Sequence, residues 1–233
     1  MQSTRKKHKV TKAKKWTRTL LCFIMLKKEM CMYYFPSCNF TIADRETAKS
    51  VRDYMSQFMA VKGCCLYDKQ EYNHETGYVV CQACREHLES KLEIKTIYEW
   101  ILQDSNFQFP DYHQQRMSIV DCWRDRNHPE VHQACRDLMK KMNIQLVEIE
   151  ESREKSEYCG TLHFKSKLRD LEGIKISDLP MEEQIELMKE QVAKYEKDIL
   201  IVCDCNRCLK GIELGEGNGI HLLKLLFPNQ SKG

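Results

Sequence analysis

The residues best equipped for chemistry in this chain are cysteines. The stretch Gly63–Cys84, "GCCLYDKQEYNHETGYVVCQAC", holds the adjacent Cys64 and Cys65, then a Cys81-x-x-Cys84 pair that begins sixteen residues after Cys65. Thiols this closely spaced serve as disulfides, metal ligands or redox nucleophiles. An isolated Cys38 precedes them, and a related series follows: Cys122, then Cys159 with Gly160 after it, then Cys205-x-x-Cys208. A Cys-x-x-Cys at a strand-to-helix turn can aim both sulfurs at one point, and the positive end of the helix favours thiolate there. The five first-half sulfurs exceed the four that a tetrahedral zinc ion accepts, and their number suits an iron–sulfur cluster.

Composition narrows the choice. Thirteen cysteines in 233 residues fall below the density of small disulfide scaffolds, and an odd count does not suit a fully paired secreted protein. A reduced, cytoplasmic protein using cysteine for metal or redox chemistry is the expectation. The net charge of +3 misleads, because Arg5, Lys6, Lys7, Lys9, Lys12, Lys14, Lys15 and Arg18 stand in an acid-free tail. The 37 basic residues less these eight are 29, against 34 acidic ones, so a nucleic-acid partner is not indicated. The apolar run "LLCFIML", residues 20–26, is followed by Lys27, Lys28 and Glu29. It lacks a small-residue cleavage site and is too short to span a bilayer. Residues 1–30 are therefore expected to be a disordered tail or the product of an upstream start site.

The elements that must position the cysteines follow a repeated grammar. In the first half, "MYYFPSC" predicts a strand running into a loop at Cys38, and Arg45–Gly63 shows helical periodicity. "TGYVVCQACREHLESKL" then predicts a strand feeding a helix through Cys81 and Cys84. In the second half a strand ends at Cys122, a helix runs from about Pro129 to Met142, and a strand from about Ile144 to Ile149. A helix from Met181 to Tyr195 follows, and "KDILIVCDCNRCLKGIEL" gives a strand, the second Cys-x-x-Cys and a helix. "IHLLKLLF" predicts a short apolar helix. Alternating strands and helices predict two α/β units with parallel strands, over residues 31–115 and 116–233. Their cysteines fall just past the strands, where open parallel sheets place their sites.

This pattern resembles the cysteine-rich CCG domain, which occurs twice in the B subunit of heterodisulfide reductase and has the form Cys…Cys-Cys-Gly…Cys-x-x-Cys. The resemblance runs from about Tyr34 to the C-terminus. It implies a [4Fe-4S] cluster on Cys38, Cys64, Cys65, Cys81 and Cys84, at which a disulfide is reduced or electrons are relayed. Leu66 departs from the family pattern, which has glycine there. In the second half Tyr158 stands in place of the first cysteine of the pair, leaving Cys122, Cys159, Cys205 and Cys208 for a second cluster, a zinc ion or a degenerate repeat. No glycine-rich dinucleotide fingerprint is present. The electron donor is then a separate flavoprotein or ferredoxin-type subunit, in a hetero-complex. Two alternatives stand beside this reading: a zinc-binding interaction module without redox activity, and a cluster-free thiol oxidoreductase using Cys81-x-x-Cys84.

The remaining polar and cysteine residues carry blander expectations. Arg124 and Arg126, beside Cys122, either hold an anionic substrate or form surface salt bridges. Cys135 is read as core and Cys203 as strand packing. His128 is read as helping to start a helix, His87 and His221 as solvated or packed helix residues, and the Met181–Tyr195 helix as an outer layer. Cys22 and Cys31 are assigned no role.

Overall fold

The computed structural model describes residues 32–73 and 75–228. The basic tail, the apolar run at 20–26, Cys22 and Cys31 lie outside the described residues. The rest forms two four-stranded, wholly parallel sheets flanked by eight helices.

Each sheet is wound in the same way. In the first, β1 (Met32–Phe35) pairs in parallel with β2 (Ala60–Val61) on one side and β3 (Thr76–Val79) on the other, and β4 (Glu93–Thr96) lies beyond β3. In the second, β5 (Arg116–Val120) lies between β6 (Gln145–Val147) and β7 (Leu200–Cys203), with β8 (Gly219–His221) outermost. The spatial orders β2-β1-β3-β4 and β6-β5-β7-β8 are thus equivalent. Central strands such as Leu200-Ile-Val-Cys203 are nearly unbroken apolar runs, as strands covered on both faces require. In both sheets the chain leaves the first strand to one side and returns to the other. That reversal opens a crevice at the carboxyl ends of the two central strands.

Helix starts are fixed by local chemistry. Ser37 caps α1 (Cys38–Ala43) by accepting the Phe40 N–H at 3.2 Å, and Asp44 caps α2 (Arg45–Met55) by accepting the Thr47 N–H at 3.0 Å. Beyond β3 runs α3 (Gln82–Leu88), and α4 (Ile97–Gln103) opens with a capping box of Thr96 and Glu99. In the second half, α5 (Pro129–Lys141) starts on Pro129, followed by α6 (Met181–Val192), α7 (Asn206–Leu214) and α8 (Leu222–Leu226). No helix among the described residues is long and apolar enough to cross a membrane.

The structure departs from sequence expectation at several ends. The stretch after Cys38 is helix α1 instead of loop, because Ser37 supplies a cap. The helix expected to reach Gly63 stops at Met55, and Ala60–Val61 joins the sheet. In "IHLLKLLF" the first two residues complete β8, and the helix begins at Leu222. Cys135 and Cys203 are buried as expected.

One apolar core joins the halves. Tyr34, Val51, Ile97 and Ile101 pack into the same cluster as Met117, Leu138, Met139 and Val202. A second core around Val120, Leu187, Met188, Ile201 and Ile212 surrounds the second-half cysteines, whereas Cys84 shares only a small cluster with Phe35, Val79, Leu88 and Leu92.

Candidate metal centre and the cavity beside it

Four second-half cysteines converge on one point. Cys122 lies just past β5 at the start of the short 3-10 turn Trp123–Asp125, Cys205 is the N-cap of α7, and Cys208 sits in that helix's first turn. Cys159 comes from the long connection between β6 and α6. All four are buried, and their sulfurs lie within 4.8 Å of one another. Cys122 and Cys159 Sγ are 3.4 Å apart. No other group of three or more histidine, cysteine or acidic side chains among the described residues comes together as closely.

The Cys159 segment is held from several directions. Arg136 donates to both oxygens of buried Asp121 at 2.7 Å and to Glu148 at 2.6 and 2.8 Å. Asp121 in turn accepts the Arg153 N–H at 2.6 Å, and its carbonyl accepts the Ser156 hydroxyl at 2.6 Å. The Trp123 N–H donates to the Tyr158 carbonyl at 2.9 Å, and the Cys159 N–H to the His163 carbonyl at 2.7 Å. Gly160 has φ +55°, and a Cβ there would stand 2.3 Å from the Arg207 carbonyl oxygen. Only glycine lets the Cys159 turn lie this close to α7. Tyr158 is not a fifth donor to the group. Its hydroxyl reaches α7, donating to the Cys208 carbonyl at 3.2 Å, and Gly211 leaves the room it needs.

Sulfurs this close cannot all keep ordinary thiol behaviour. Hydrogen bonding from Cys122, ahead of bonds from Cys205 and Cys208, holds the Cys159 thiol far below its usual range. Cys205 is also lowered, chiefly by Cys122. Cys122, bonded to Cys159, and Cys208, desolvated by burial, are pushed well up. The buried group therefore favours thiolate at Cys159 and Cys205. It is a buried four-cysteine set able to hold a metal ion.

The first half arranges its five cysteines differently. Cys38 opens α1 past β1, Cys81 is the N-cap of α3, Cys84 lies in that helix's first turn, and Cys64 and Cys65 lie in the loop after β2. Their side chains touch in sequence, Cys38 to Cys64, Cys64 to Cys65, Cys65 to Cys84 and Cys84 to Cys81. The Cys65 and Cys84 sulfurs are 3.3 Å apart. Cys38 is exposed, Cys84 is buried, and the other three are intermediate. Hydrogen bonding from Cys84 draws the Cys81 thiol down to about 6, and Cys84 itself is pushed far up by the same bond. Leu66, beside the Cys64–Cys65 pair, is 61% exposed.

The two cysteine regions face each other across the contact between the halves. Tyr98 donates its hydroxyl to the Asp204 carbonyl at 2.9 Å, Gln82 Nε2 donates to the buried Asp125 carboxylate, and Arg124 clamps Glu86 through both nitrogens, Nε at 2.8 Å. Between them lies a cavity of about 350 Å³ whose wall includes Cys81, Cys205, Arg124 and His221. Arg124 thus forms a salt bridge and also reaches the cavity. Arg126 does not line it. Its guanidinium lies over the Trp123 ring at 4.0 Å, while His163 stacks on that ring with a 4.0 Å centroid separation.

The setting of several groups at this junction escaped sequence reading. Burial pushes the Asp125 carboxyl up to about 7, and burial together with the neighbouring Asp125 charge raises Asp204 well above the carboxylate range. His221 is buried, and its Nδ1 accepts the Leu223 N–H at 3.2 Å. The available signal was position. Gln82, Asp204 and His221 all stand at or just past strand ends, next to or between cysteines or at the head of an apolar run.

Fold and site together define a two-unit α/β protein with a buried, metal-competent cysteine group at the switch point of its second sheet. No family model, curated protein or solved structure matches the chain.

Proposed function

We propose that this protein is a metal–thiolate redox protein whose two halves divide structural and reactive roles. In this reading Cys122, Cys159, Cys205 and Cys208 hold a single tetrahedral ion, zinc by their all-thiolate chemistry. A zinc–sulfur bond of about 2.3 Å sets four ligands about 3.8 Å apart. The observed spacing of at most 4.8 Å is compatible with that. An iron–sulfur cube places an iron beneath each thiolate and spreads them further.

Cys38, Cys64, Cys65, Cys81 and Cys84 would hold a [4Fe-4S] cluster. Their string of contacts lacks the close convergence of the second set, so it frames a larger group than one ion. When bound, the cluster supplies one-electron storage beside the cavity. The reaction would be reduction of a disulfide, in which the sulfur–sulfur bond breaks and two electrons and two protons give two thiols. The electrons come from a flavoprotein or ferredoxin-type partner in a reducing compartment such as the cytoplasm. The eleven described cysteines, all free, are in keeping with that setting. The single observation that carries the proposal is the contrast between a closed four-sulfur cage and an open five-sulfur string, of which Cys81 lines the cavity.

Anaerobic purification followed by visible absorption, iron and sulfide analysis, and dithionite titration tests it. Broad absorption near ~400 nm that bleaches on reduction, with about four irons per chain, is expected. Colourless protein that takes up no iron on reconstitution would sink the cluster.

A cluster-free dithiol mechanism is favoured by one observation, the Cys81 thiol drawn down to about 6 by Cys84 at the start of α3. It predicts disulfide-reducing activity that survives iron removal and is lost in Cys81→Ser.

A further inference from the structure

The cavity between the halves holds unsatisfied buried groups of opposite kinds. His221 is 3% exposed, and its Nδ1 already accepts a backbone N–H, so the neutral ring carries its proton on Nε2. That Nε2–H has no partner. Gln82 is 5% exposed, and its amide orientation is set because Nε2 faces the Asp125 carboxylate, which leaves Oε1 as an unpaired acceptor. Asp204 is 2% exposed and its Oδ1 is likewise unpaired. All three line the same cavity, whose rim carries Arg207 and Lys210 and whose wall includes Cys81. Among the described residues neither Arg207 nor Lys210 is held in an ion pair.

Buried orphans of this kind cost free energy until a ligand satisfies them. The unpaired Gln82 Oε1 calls for a donor such as an ammonium. A lone N–H in a cavity that is also lined by two cations calls for a carboxylate. A dicarboxylate leaves the Gln82 acceptor unmatched, and a diamine leaves His221 and the cations unmatched. We infer that this cavity recognises an α-amino acid unit, carried by a cystine-type disulfide or thiol whose sulfur comes to lie beside Cys81. About 350 Å³ is within the range of small-ligand pockets. Only the placement of the sulfur rests on the redox function proposed above. Recognition of the ammonium and carboxylate stands on the orphaned groups alone.

The test uses a ligand that cannot be reduced. L-cystathionine carries the two amino acid ends of a cystine-like molecule on a thioether, so its binding to the purified holoprotein, measured by calorimetry, is independent of electron transfer. Thiodipropionate, without ammonium groups, and bis(aminoethyl) sulfide, without carboxylates, complete the set. Cystathionine is expected to bind roughly tenfold or more tightly than either, because each analogue leaves buried groups unpaired. His221→Asn, which keeps an acceptor for the Leu223 N–H but shortens the reach into the cavity, is expected to weaken cystathionine binding. Lys210→Met, at an exposed position with no burden on folding, should do the same. Equal binding of thiodipropionate or of the diamine, or no binding of cystathionine at millimolar concentration, would overturn the inference. A colourless protein that binds cystathionine would retain it while losing the cluster. A brown, reducible protein that ignores cystathionine would do the reverse.

Discussion

The two halves share one topology and nearly one cysteine pattern, yet they treat their sulfurs differently. In the second half the ligand-bearing loop is pinned by Arg136, Asp121, Ser156 and Gly160, and four sulfurs are sealed into an apolar core with Val120, Leu187, Met188 and Ile212. In the first half the corresponding loop is short, Cys38 is exposed, and only Cys84 is fully buried. A closed cage suits an ion whose binding contributes to folding. An open string at the edge of a cavity suits chemistry, where reactants must reach the sulfurs. The two halves share one winding, and their loops differ.

The sharpest way to break this comparison is to remove one sulfur from each half. Cys208→Ser should release the second-half ion and lower stability by several kcal/mol, since structural zinc binding is coupled to folding. Cys64→Ser, in a partly exposed loop, should leave metal stoichiometry at the cage unchanged and lower the thermal midpoint by less than Cys208→Ser. Zinc analysis beside thermal unfolding separates the two. If both variants lose equal stability, the halves are not specialised.

Next in size is Arg136→Ala. Arg136 and Asp121 are both buried and bonded through two hydrogen bonds. Stripping one partner strands a buried charge and is expected to cost about 3–5 kcal/mol, read from denaturant midpoints. A loss below 1 kcal/mol by this measure would mean that the Cys159 segment is held by the remaining contacts.

A smaller effect tests the packing of Tyr158 against Gly211. A Cβ on Gly211 would lie 2.2 Å from the Tyr158 hydroxyl, so Gly211→Ala is expected to cost about 1–3 kcal/mol by overpacking. Tyr158→Phe in the same chain should recover part of that loss, because the nearest clashing atom is gone. The Gly160 Cα at 2.7 Å remains as an obstacle. No recovery would show that Tyr158 and Gly211 are uncoupled.

The smallest expected effect is a pH slope. Asp125 releases its proton at about 7 in the folded protein, against an ordinary 3.8. Between those values the folded state binds a proton that the unfolded chain has released, so this group's contribution to stability falls as pH rises through that window. Asp125→Asn should remove that part of the fall, seen by comparing denaturant midpoints from about pH 5.5 to 7.5. Parallel curves for the two proteins would show that Asp125 titrates normally.

Much of the frame could be read from the chain because the central strands are apolar runs followed by a motif cysteine, whereas the outer strands Glu93–Thr96 and Gly219–His221 have no cysteine after them and were not read as strands. "LIVCDC" and "YVVCQAC" show strand, turn and thiol in one line. The cage itself was less legible, since Cys159 arrives from a connection with little regular structure, and its position depends on Arg136 and Asp121, fifteen residues apart in sequence. Arg124 was legible as a charged neighbour of Cys122, but only the contact between halves shows it bridging to Glu86 at the cavity. Gln82 and Asp204 were not legible at all, and His221, read as a solvated or packed helix residue, is packed but at the end of β8, just before its helix. A polar residue at a strand end has no signature of its own until another unit of the fold seals it from water.

The claim that the halves hold different groups is tested most directly by native mass spectrometry of the anaerobically purified chain and its Cys64→Ser variant. The account predicts the mass of one zinc ion and one [4Fe-4S] cluster on the parent chain, with the variant keeping zinc and losing or destabilising the cluster. Two identical clusters, two zinc ions, or loss of zinc on Cys64→Ser would contradict it.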